Sequence, residues 1–267
     1  RPHMRPLVSV IVPIYNAAPF LKETLDSIIA STYRPIEIVM VDDGSKDNSL
    51  SIAQDYCANY PECRVIAQTN QGVSVARNNA IRHAKGMYIL PVDADDKIAD
   101  TFIQKAVDVI DNNDDIRVVG CRCWMFGAIN KEWKLPEFSH ALLARKNMIP
   151  ATALYRKADW ERCGGYCEEE IYREDWDFWL SMMELGGTFY KLNEILFYYR
   201  ISTVSRRMLA KGRKKLIVDA INSRHPAYMQ KYLGGPLHYH RSCSRVINFF
   251  RSETIVGDYT DWNKGEI

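Results

Sequence analysis

Residues 7–13 read LVSVIVP, and five of these seven residues are Leu, Val or Ile. A short β-branched run of this kind is typical of a strand that is buried on both faces. Residues 18–30 follow with apolar side chains at helical spacing, and residues 36–41 (IEIVMV) form a second apolar run. Strands that alternate with helices in this way predict parallel strands joined by crossover helices.

The same alternation continues along the first part of the chain. Residues 64–67 and 87–92 predict two further strands, and residues 74–84 and 101–110 predict two further helices. We therefore expect residues 5–120 to form a Rossmann-like nucleotide-binding half, with a mostly parallel central sheet flanked by helices.

The pattern is looser in residues 121–205, which we expect to complete an α/β domain spanning residues 5–205 as its acceptor half. A long loop is predicted over residues 126–148. Two short, separate strands are predicted at residues 189–192 and 195–200 because each is a brief apolar run.

The charge of the chain is unevenly distributed. The 267 residues carry a net charge of +2, which argues against a dedicated nucleic-acid binder. Residues 206–267 contain 12 Lys and Arg against 5 Asp and Glu, and we predict a basic helical C-terminal extension there. Such a basic end favours contact with an anionic surface. Because no apolar run approaches the roughly 18 residues of a membrane span, we expect a cytoplasmic protein, with peripheral contact at the inner face of the membrane as an option.

The cysteines and histidines give weak signals. Seven cysteines, an odd number, argue against a disulfide framework and favour reduced, buried thiols. Cys121 and Cys123 could also be read as metal ligands, as could His238 and His240. However, no third and fourth ligands follow at a spacing typical of zinc.

Acidic residues follow the predicted strands at the edge where a doubly wound sheet binds ligands. Five carboxylates are expected there: Asp42, Asp43, Asp93, Asp95 and Asp96. Such crowding is unfavourable unless a cation or hydrogen-bond donors compensate the charge. Asp93 and Asp95 are two residues apart, so in extended backbone their side chains leave on the same side. Their hard oxygens suit Mg²⁺ or Mn²⁺, although Asp-rich turns without metal are also common. No glycine-rich dinucleotide motif or Walker lysine loop is present.

Four ordered segments resemble family 2 glycosyltransferases: residues 8–16 (VSVIVPIYN), 41–47 (VDDGSKD), 70–78 (NQGVSVARN) and 92–96 (VDADD). The resemblance extends over roughly residues 7–200. It implies a GT-A fold and inverting transfer from a nucleoside-diphosphate sugar, with a UDP-sugar favoured and Mg²⁺ or Mn²⁺ as cofactor. It also implies a saccharide or lipid-linked acceptor, in surface polysaccharide synthesis.

The resemblance places the donor site at Pro13, Tyr15, Asn16, Asp43, Arg77, Asp93 and Asp95. In the family pattern Tyr15 stacks on the nucleotide base and Asp43 accepts a hydrogen bond from it. Arg77 approaches the pyrophosphate, although it could instead pair with Asp43 or Asp93. Asp95 is the main metal ligand, and Asp93 contacts the ribose or the metal.

A second acidic group, Arg173-Glu-Asp-Trp-Asp177, opens a predicted helix. Acidic residues stabilise helix N-termini, so capping alone could explain this group. Transfer, however, needs a base for the acceptor proton, and the family pattern gives that role to Asp175. Glu174 and Trp176 are expected to contact the acceptor, although core packing is an alternative explanation for Trp176.

One position departs from the family pattern, which often has a histidine two residues after the arginine of a Tyr-Arg segment. Ser202 stands there, after Tyr199-Arg200. Two other functions stay open: a non-catalytic nucleotide- or sugar-binding assembly protein, and a metal-dependent nucleotidyltransferase. The second usually needs a basic glycine-rich loop near the first strand, and none is present there.

Overall fold

A computed structural model describes residues 4–202, 213–238 and 246. Within these residues, nine strands form one sheet. The strands are β1 (Val8–Ile14), β2 (Ile36–Asp43), β3 (Cys63–Gln68), β4 (Tyr88–Pro91), β5 (Lys97–Ile98), β6 (Ile116–Gly127), β7 (Lys131–Trp133), β8 (Leu154–Arg156) and β9 (Thr188–Ile201). The helices are α1 (Leu21–Ile29), α2 (Ser49–Asn59), α3 (Val73–His83), α4 (Phe102–Ile110), α5 (His140–Arg145), α6 (Lys157–Cys163), α7 (Glu174–Glu184), α8 (Lys214–Arg224) and α9 (Pro226–Leu233).

The N-terminal half is the predicted parallel α/β unit. β1 lies between β2 and β4 and is parallel to both, and β3 runs parallel to β2 on its outer side. β1 and β2 are buried along almost their whole length, which explains why both read as continuous apolar runs. Because these strands are parallel, the ends of β1, β2 and β4 open at one edge of the sheet.

The sheet is mixed beyond β4. β8 is antiparallel to both β4 and β6, β7 is antiparallel to β6, and β5 is antiparallel to β9. Residues 189–200 lie in one long strand, β9, which is parallel to β6 with register shifts near Cys121 and Arg122. The prediction of two short strands was therefore wrong. The predicted loop over residues 126–148 also contains β7 and α5.

Two apolar clusters cover the two faces of the sheet. One includes residues of α1 and α4, and the other includes residues of α3, α7, α8 and α9. Ile217 and Ile221 of α8 and Met229 of α9 are buried in the second cluster together with Trp179 of α7. The described part of the predicted C-terminal extension therefore packs on the body of the protein, and a domain boundary at residue 205 stays a prediction.

The cysteines of the described residues are free thiols, and Cys121 and Cys123 are buried in β6. His240 lies outside the described part of the chain, so the His238–His240 pair is not described as a unit. In the described residues no helix combines the length and apolarity needed to span a bilayer.

Candidate active site

A cleft of about 450 Å³ opens at the edge of the sheet where β1, β2 and β4 end. Its lining includes six of the seven predicted donor-site residues: Pro13, Tyr15, Asn16, Asp43, Asp93 and Asp95. Tyr15 is 49% exposed, so its side chain is accessible. Ser202, which stands where the family often has histidine, also lines the cleft. The fold brings these residues together, and their contacts with a donor stay predictions.

Asp43, at the end of β2, fixes the loop between β3 and α3. Its Oδ1 accepts hydrogen bonds from the Gln71 backbone N–H at 2.7 Å and from Gln68 Nε2 at 2.9 Å. Its Oδ2 accepts one from the backbone N–H of Gly72 at 3.0 Å. Gly72 has a φ of 96°, which glycine adopts without steric cost. Asp43 thus shapes one wall of the cleft. A hydrogen bond from a nucleotide base would go to a carboxylate oxygen of Asp43 that already accepts hydrogen bonds from the protein.

The acidic turn of residues 93–96 follows β4 and is held through its backbone. Thr24 of α1 donates a hydrogen bond to the carbonyl oxygen of Ala94 at 2.9 Å. Arg200 Nε donates one to the carbonyl oxygen of Asp95 at 2.8 Å. These bonds fix the turn from two separate elements, so the position of the Asp95 side chain depends on both.

Arg200 and Asp96 stabilise the acidic turn of residues 93–96. The Arg200 guanidinium lies between the rings of Phe20 and Phe126, 4.5 and 4.4 Å from their centroids. The backbone N–H of Arg200 donates to Asp96 Oδ1 at 3.0 Å. Burial, together with the charges of Asp95 and Asp93, raises the pKa of Asp96 well above its usual range. Asp96 is therefore a supporting group, whereas Asp93 and Asp95 face the cleft.

The carboxylates beside the cleft are suitable ligands for a divalent cation that also binds the substrate. Asp93 and Asp95 offer hard carboxylate oxygens beside the cleft. Within the described residues, no group of three or more His, Cys, Asp or Glu is arranged to hold a metal ion. Proteins commonly bind Mg²⁺ through one or two carboxylates together with substrate phosphates and water.

Arg77 does not itself line the cleft, and its approach to a pyrophosphate stays a prediction. Its side chain is 2% exposed and pairs with Asp93 at 3.0 Å and with Glu174 at 3.4 Å. The sequence left open a pair with Asp93, and the structure contains it. Burial alone would lower the pKa of Arg77, but Asp93 and Glu174 more than offset this, so the guanidinium stays charged. Arg77 thus joins the two acidic groups that the sequence singles out.

Asp175, the predicted base, lies in the first turn of α7. Its Oδ2 accepts a hydrogen bond from Asn147 Nδ2 at 3.1 Å, and its Oδ1 accepts one from the backbone N–H of Trp176. α7 has no side-chain cap at its N-cap residue. The carboxylate of Asp175 is therefore oriented by a residue from the segment after α5.

The electrostatic surroundings of Asp175 favour a base. Burial raises the pKa of this carboxyl, and the neighbouring Glu174 adds to the rise, whereas Arg77 and Arg173 oppose it. A carboxylate with a raised pKa holds a proton more strongly, which improves proton abstraction at neutral pH.

Trp176 is a core residue, which corrects the prediction of an acceptor contact. It is 1% exposed, and its indole N–H donates to the carbonyl oxygen of Leu143 at 2.7 Å. Trp179, one turn further along α7, is likewise buried and donates to the carbonyl oxygen of Ile149. Because both indoles point into the second apolar cluster, neither presents a face to a sugar.

A second cleft of about 350 Å³ adjoins the first, and Gly72 and Val73 line both. Glu174 lines this second cleft, and its contact with an acceptor stays a prediction. Tyr172 and Arg213 lie on its wall, with the guanidinium 4.1 Å from the ring centroid. The two clefts therefore meet at the start of α3.

Several supporting residues were missed from the sequence. Thr24, Asn147 and Arg200 reach the acidic groups from distant parts of the chain. Of these three residues, only Arg200 lies in a segment that the family pattern marks. That pattern pointed to Ser202 and not to Arg200. Nothing in the composition of residues 126–148 marks Asn147.

A parallel α/β half whose strand ends open into an acidic cleft is the architecture of nucleotide-binding enzymes. Residues 9–178 match the family described as Glycosyl transferase family 2, and the chain belongs to that family. The expectation from the four sequence segments is thus confirmed.

One relative and two solved structures illustrate this membership. The uncharacterized glycosyltransferase EpsJ of Bacillus subtilis (strain 168) is 34% identical over 213 residues, which cover 74% of this chain but only 62% of EpsJ, less than two thirds of its length. TarS of S. aureus in complex with UDP-GlcNAc has a TM-score of 0.64 at 21% identity, covering 84% of this chain and 74% of TarS. The mannosyltransferase PcManGT of Pyrobaculum calidifontis, in complex with GDP-Man and Mn²⁺, has a TM-score of 0.67 at 22% identity, covering 87% and 69%. The α/β fold is therefore the GT-A fold of these glycosyltransferases.

Proposed function

We propose that the protein transfers a sugar from a nucleoside-diphosphate sugar to a hydroxyl group, with inversion at the anomeric carbon. The observation that carries the proposal is the junction of two acidic groups. Asp93 and Asp95 line the first cleft, and Glu174 and Asp175 begin α7. Arg77 pairs with one member of each group and so keeps a donor cleft and a base close together.

The donor would lie in the first cleft. Tyr15 would stack on the base, Pro13 and Asn16 would line its pocket, and Asp43 would accept a hydrogen bond from it. Asp95, with Asp93, would hold Mg²⁺ or Mn²⁺. When bound, such a cation stabilises the charge on the departing diphosphate. A UDP-sugar is our preferred donor, and support comes from the UDP-GlcNAc in TarS, although PcManGT holds GDP-Man.

The chemical step needs one proton acceptor on the acceptor side. Asp175 takes the proton of the acceptor hydroxyl while the oxygen of that hydroxyl forms the new bond to the anomeric carbon. The bond from that carbon to the diphosphate oxygen breaks, and the electron pair leaves with the nucleoside diphosphate. Asn147 keeps Asp175 oriented for this transfer, and Glu174 binds other hydroxyls of the acceptor.

For the acceptor we propose a saccharide or a lipid-linked glycan, in the synthesis of a surface polysaccharide. The protein would work in the cytoplasm, with peripheral contact at the inner face of the membrane. Support comes from the family resemblance and from the basic C-terminal residues. The placement of Glu174 on the wall of the second cleft is consistent with a hydroxyl-rich ligand.

A donor screen tests the proposal. The protein is incubated with UDP-, GDP- and dTDP-sugars, with Mg²⁺, with Mn²⁺ and with chelator, and release of the nucleoside diphosphate is measured. We expect release from one donor class, dependent on the cation, and an inverted product by NMR. Binding of nucleoside diphosphate without any release would instead favour the assembly protein. Release of pyrophosphate from a nucleoside triphosphate and a sugar phosphate would favour the nucleotidyltransferase.

A further inference from the structure

The first turn of α7 is tied to the C-terminal helices by ion pairs that the proposed reaction does not use. Asp177, two residues after the proposed base, is completely buried. Its Oδ1 lies 2.6 Å from Arg224 Nε and 2.7 Å from His225 Nε2, and its Oδ2 accepts from Arg224 at 3.2 Å. The other ring nitrogen of His225 lies 2.5 Å from Glu184 Oε1, at the far end of α7. We call these four residues, Asp177, Glu184, Arg224 and His225, the α7 clamp.

The bonding of His225 fixes its charge. Both ring nitrogens face carboxylate oxygens, and the side chain is 2% exposed. A neutral imidazole donates from only one nitrogen, whereas the imidazolium donates from both. The arrangement therefore requires a protonated ring that joins both ends of α7 to the junction between α8 and α9.

The packing around the α7 clamp leaves it little freedom. Ile217 and Ile221 of α8 and Tyr228 of α9 are buried in the same apolar cluster as Phe178 of α7. Ion pairs can set a geometry that apolar contacts alone do not specify, because apolar contacts have little directionality. Asp177 follows Asp175 by two residues in one helical turn, so a shift of Asp177 moves the backbone of Asp175 as well.

We propose that Arg224 and His225 are positioning residues for Asp175, which hold the first turn of α7 where the carboxylate of Asp175 meets the acceptor hydroxyl. This inference rests on the proposed function for its effect on turnover. Neither residue contacts the reacting atoms. A displacement of about 1 Å at a reacting group can cost about 100-fold in rate, so a modest shift of α7 is sufficient.

The clamp also predicts a pH dependence. Burial alone would lower the pKa of His225, but Asp177 and Glu184 more than offset this and raise it above its usual value. Arg224 and His225 in turn lower the pKa of Asp177 against the effect of burial. The contribution of a group with a raised pKa is present at low pH and is lost as the pH rises through that pKa. The other titratable neighbours of the clamp are Cys167 and Glu169 beside Arg224, Cys163 beside Asp177 and Tyr228 beside Glu184.

The test uses His225→Gln and Arg224→Gln, with Asn222→Ala as the matched control. Asn222 lies on α8, as Arg224 does, and among the described residues its side chain bonds the backbone of Leu237 and no residue of α7, so its loss loosens the C-terminal helices without touching α7. Three properties are measured for the whole protein at pH 7: hydrogen exchange of the α7 amides, UDP affinity with Mg²⁺, and UDP release from the donor found in the screen.

We expect both clamp variants to exchange the first-turn amides of α7 at least about tenfold faster and to release UDP about 10 to 100 times more slowly. UDP affinity should stay within about twofold, and Asn222→Ala should match the wild type. Wild-type exchange in the clamp variants, or an equal effect in Asn222→Ala, would overturn the inference. If wild-type protein releases no nucleoside diphosphate from any donor of the screen, the proposed function fails, while the exchange data still test the clamp.

Should the variants not fold, the wild type decides. Protection of the α7 amides and UDP release should both fall as the pH rises through the raised pKa of His225, while UDP affinity stays constant. Protection and release that stay constant up to pH 9 would overturn the proposal.

Discussion

At the scale of single residues, the two carboxylates of the acidic turn differ in what surrounds them. Asp93 is bound to the buried guanidinium of Arg77. The backbone of Asp95 is held by Arg200, and its side chain lines the cleft. Both carboxylates thus belong to the cleft, but Asp93 is shared with Arg77, and the metal role of Asp95 stays a prediction.

We predict that Asp95→Asn removes metal-dependent nucleotide binding and leaves the fold intact. The amide keeps the volume but lacks the charge that a hard cation requires. UDP affinity with Mn²⁺, measured by calorimetry, should fall by at least about tenfold, and the melting temperature without ligand should not change.

The control for this prediction is Asp108→Asn, the same change at an exposed position on α4, where the carboxylate accepts a hydrogen bond from Gln104. It should leave UDP affinity unchanged. Wild-type affinity in Asp95→Asn would exclude Asp95 as a metal ligand.

The roles of single residues were predictable where strand order decides them. The ends of parallel strands meet at one edge, so Asp43, Asp93 and Asp95 could be placed together from sequence alone. Arg77 and Trp176 could not be placed, because the direction of a helical side chain depends on how the helix is rotated against its neighbours. Trp176 faces inward because α7 packs between the sheet and the C-terminal helices.

At the scale of elements, α3 and α7 meet through Arg77. The guanidinium leaves α3 and bonds Asp93 after β4 and Glu174 at the start of α7. A buried cation with two carboxylate partners stabilises the native state chiefly because the loss of the cation leaves the carboxylates uncompensated.

We predict that Arg77→Met lowers the free energy of unfolding by about 3 kcal/mol. This lies at the lower end of the range for a broken buried pair, because Asp93 is 35% and Glu174 18% exposed and both are partly screened by water. Arg82→Met on the same helix is the control, since Arg82 pairs with Glu168 at the surface, and it should change stability by less than about 1 kcal/mol. Urea unfolding measures both, and equal effects would contradict a structural role for Arg77.

Most elements of the first half were predictable to within one or two residues, although α1 begins three residues later than expected and β5 was not predicted. α3 was expected over residues 74–84 and spans Val73–His83, since apolar periodicity marks it clearly. The second half was less predictable because β9 alternates irregularly between buried and exposed positions and contains a bulge against β6. Such long-range pairing leaves no local signal.

At the scale of the whole molecule, the C-terminal part of the chain differs in charge from the rest. Residues 206–215 carry six Lys and Arg and no acid. Arg206, Arg207 and Lys211 lie outside the described residues, whereas Arg213 is on the wall of the second cleft. A basic residue on the wall of the second cleft would suit an acceptor that sits in an anionic membrane surface.

We predict that the protein sediments with anionic vesicles at low salt and not with neutral ones. Each Lys or Arg near an anionic surface contributes about 1 kcal/mol, and this is screened by salt. Replacing the basic residues of 206–215 with Gln should abolish sedimentation, and so should high salt. No sedimentation of the wild type at low salt would leave these residues without a surface role.

Asp175 is the proposed base of the sugar transfer, and this role is tested by comparing UDP release and UDP binding in wild type and Asp175→Asn across pH. The amide can still occupy the start of α7 but cannot take a proton. We predict wild-type release that rises as the pH increases through the raised pKa of Asp175, and a loss of about 10²–10⁴-fold in the variant. UDP affinity should be the same in both proteins. Near wild-type release in Asp175→Asn, or a loss of UDP binding that accounts for the whole decrease, would contradict a role of Asp175 as the base.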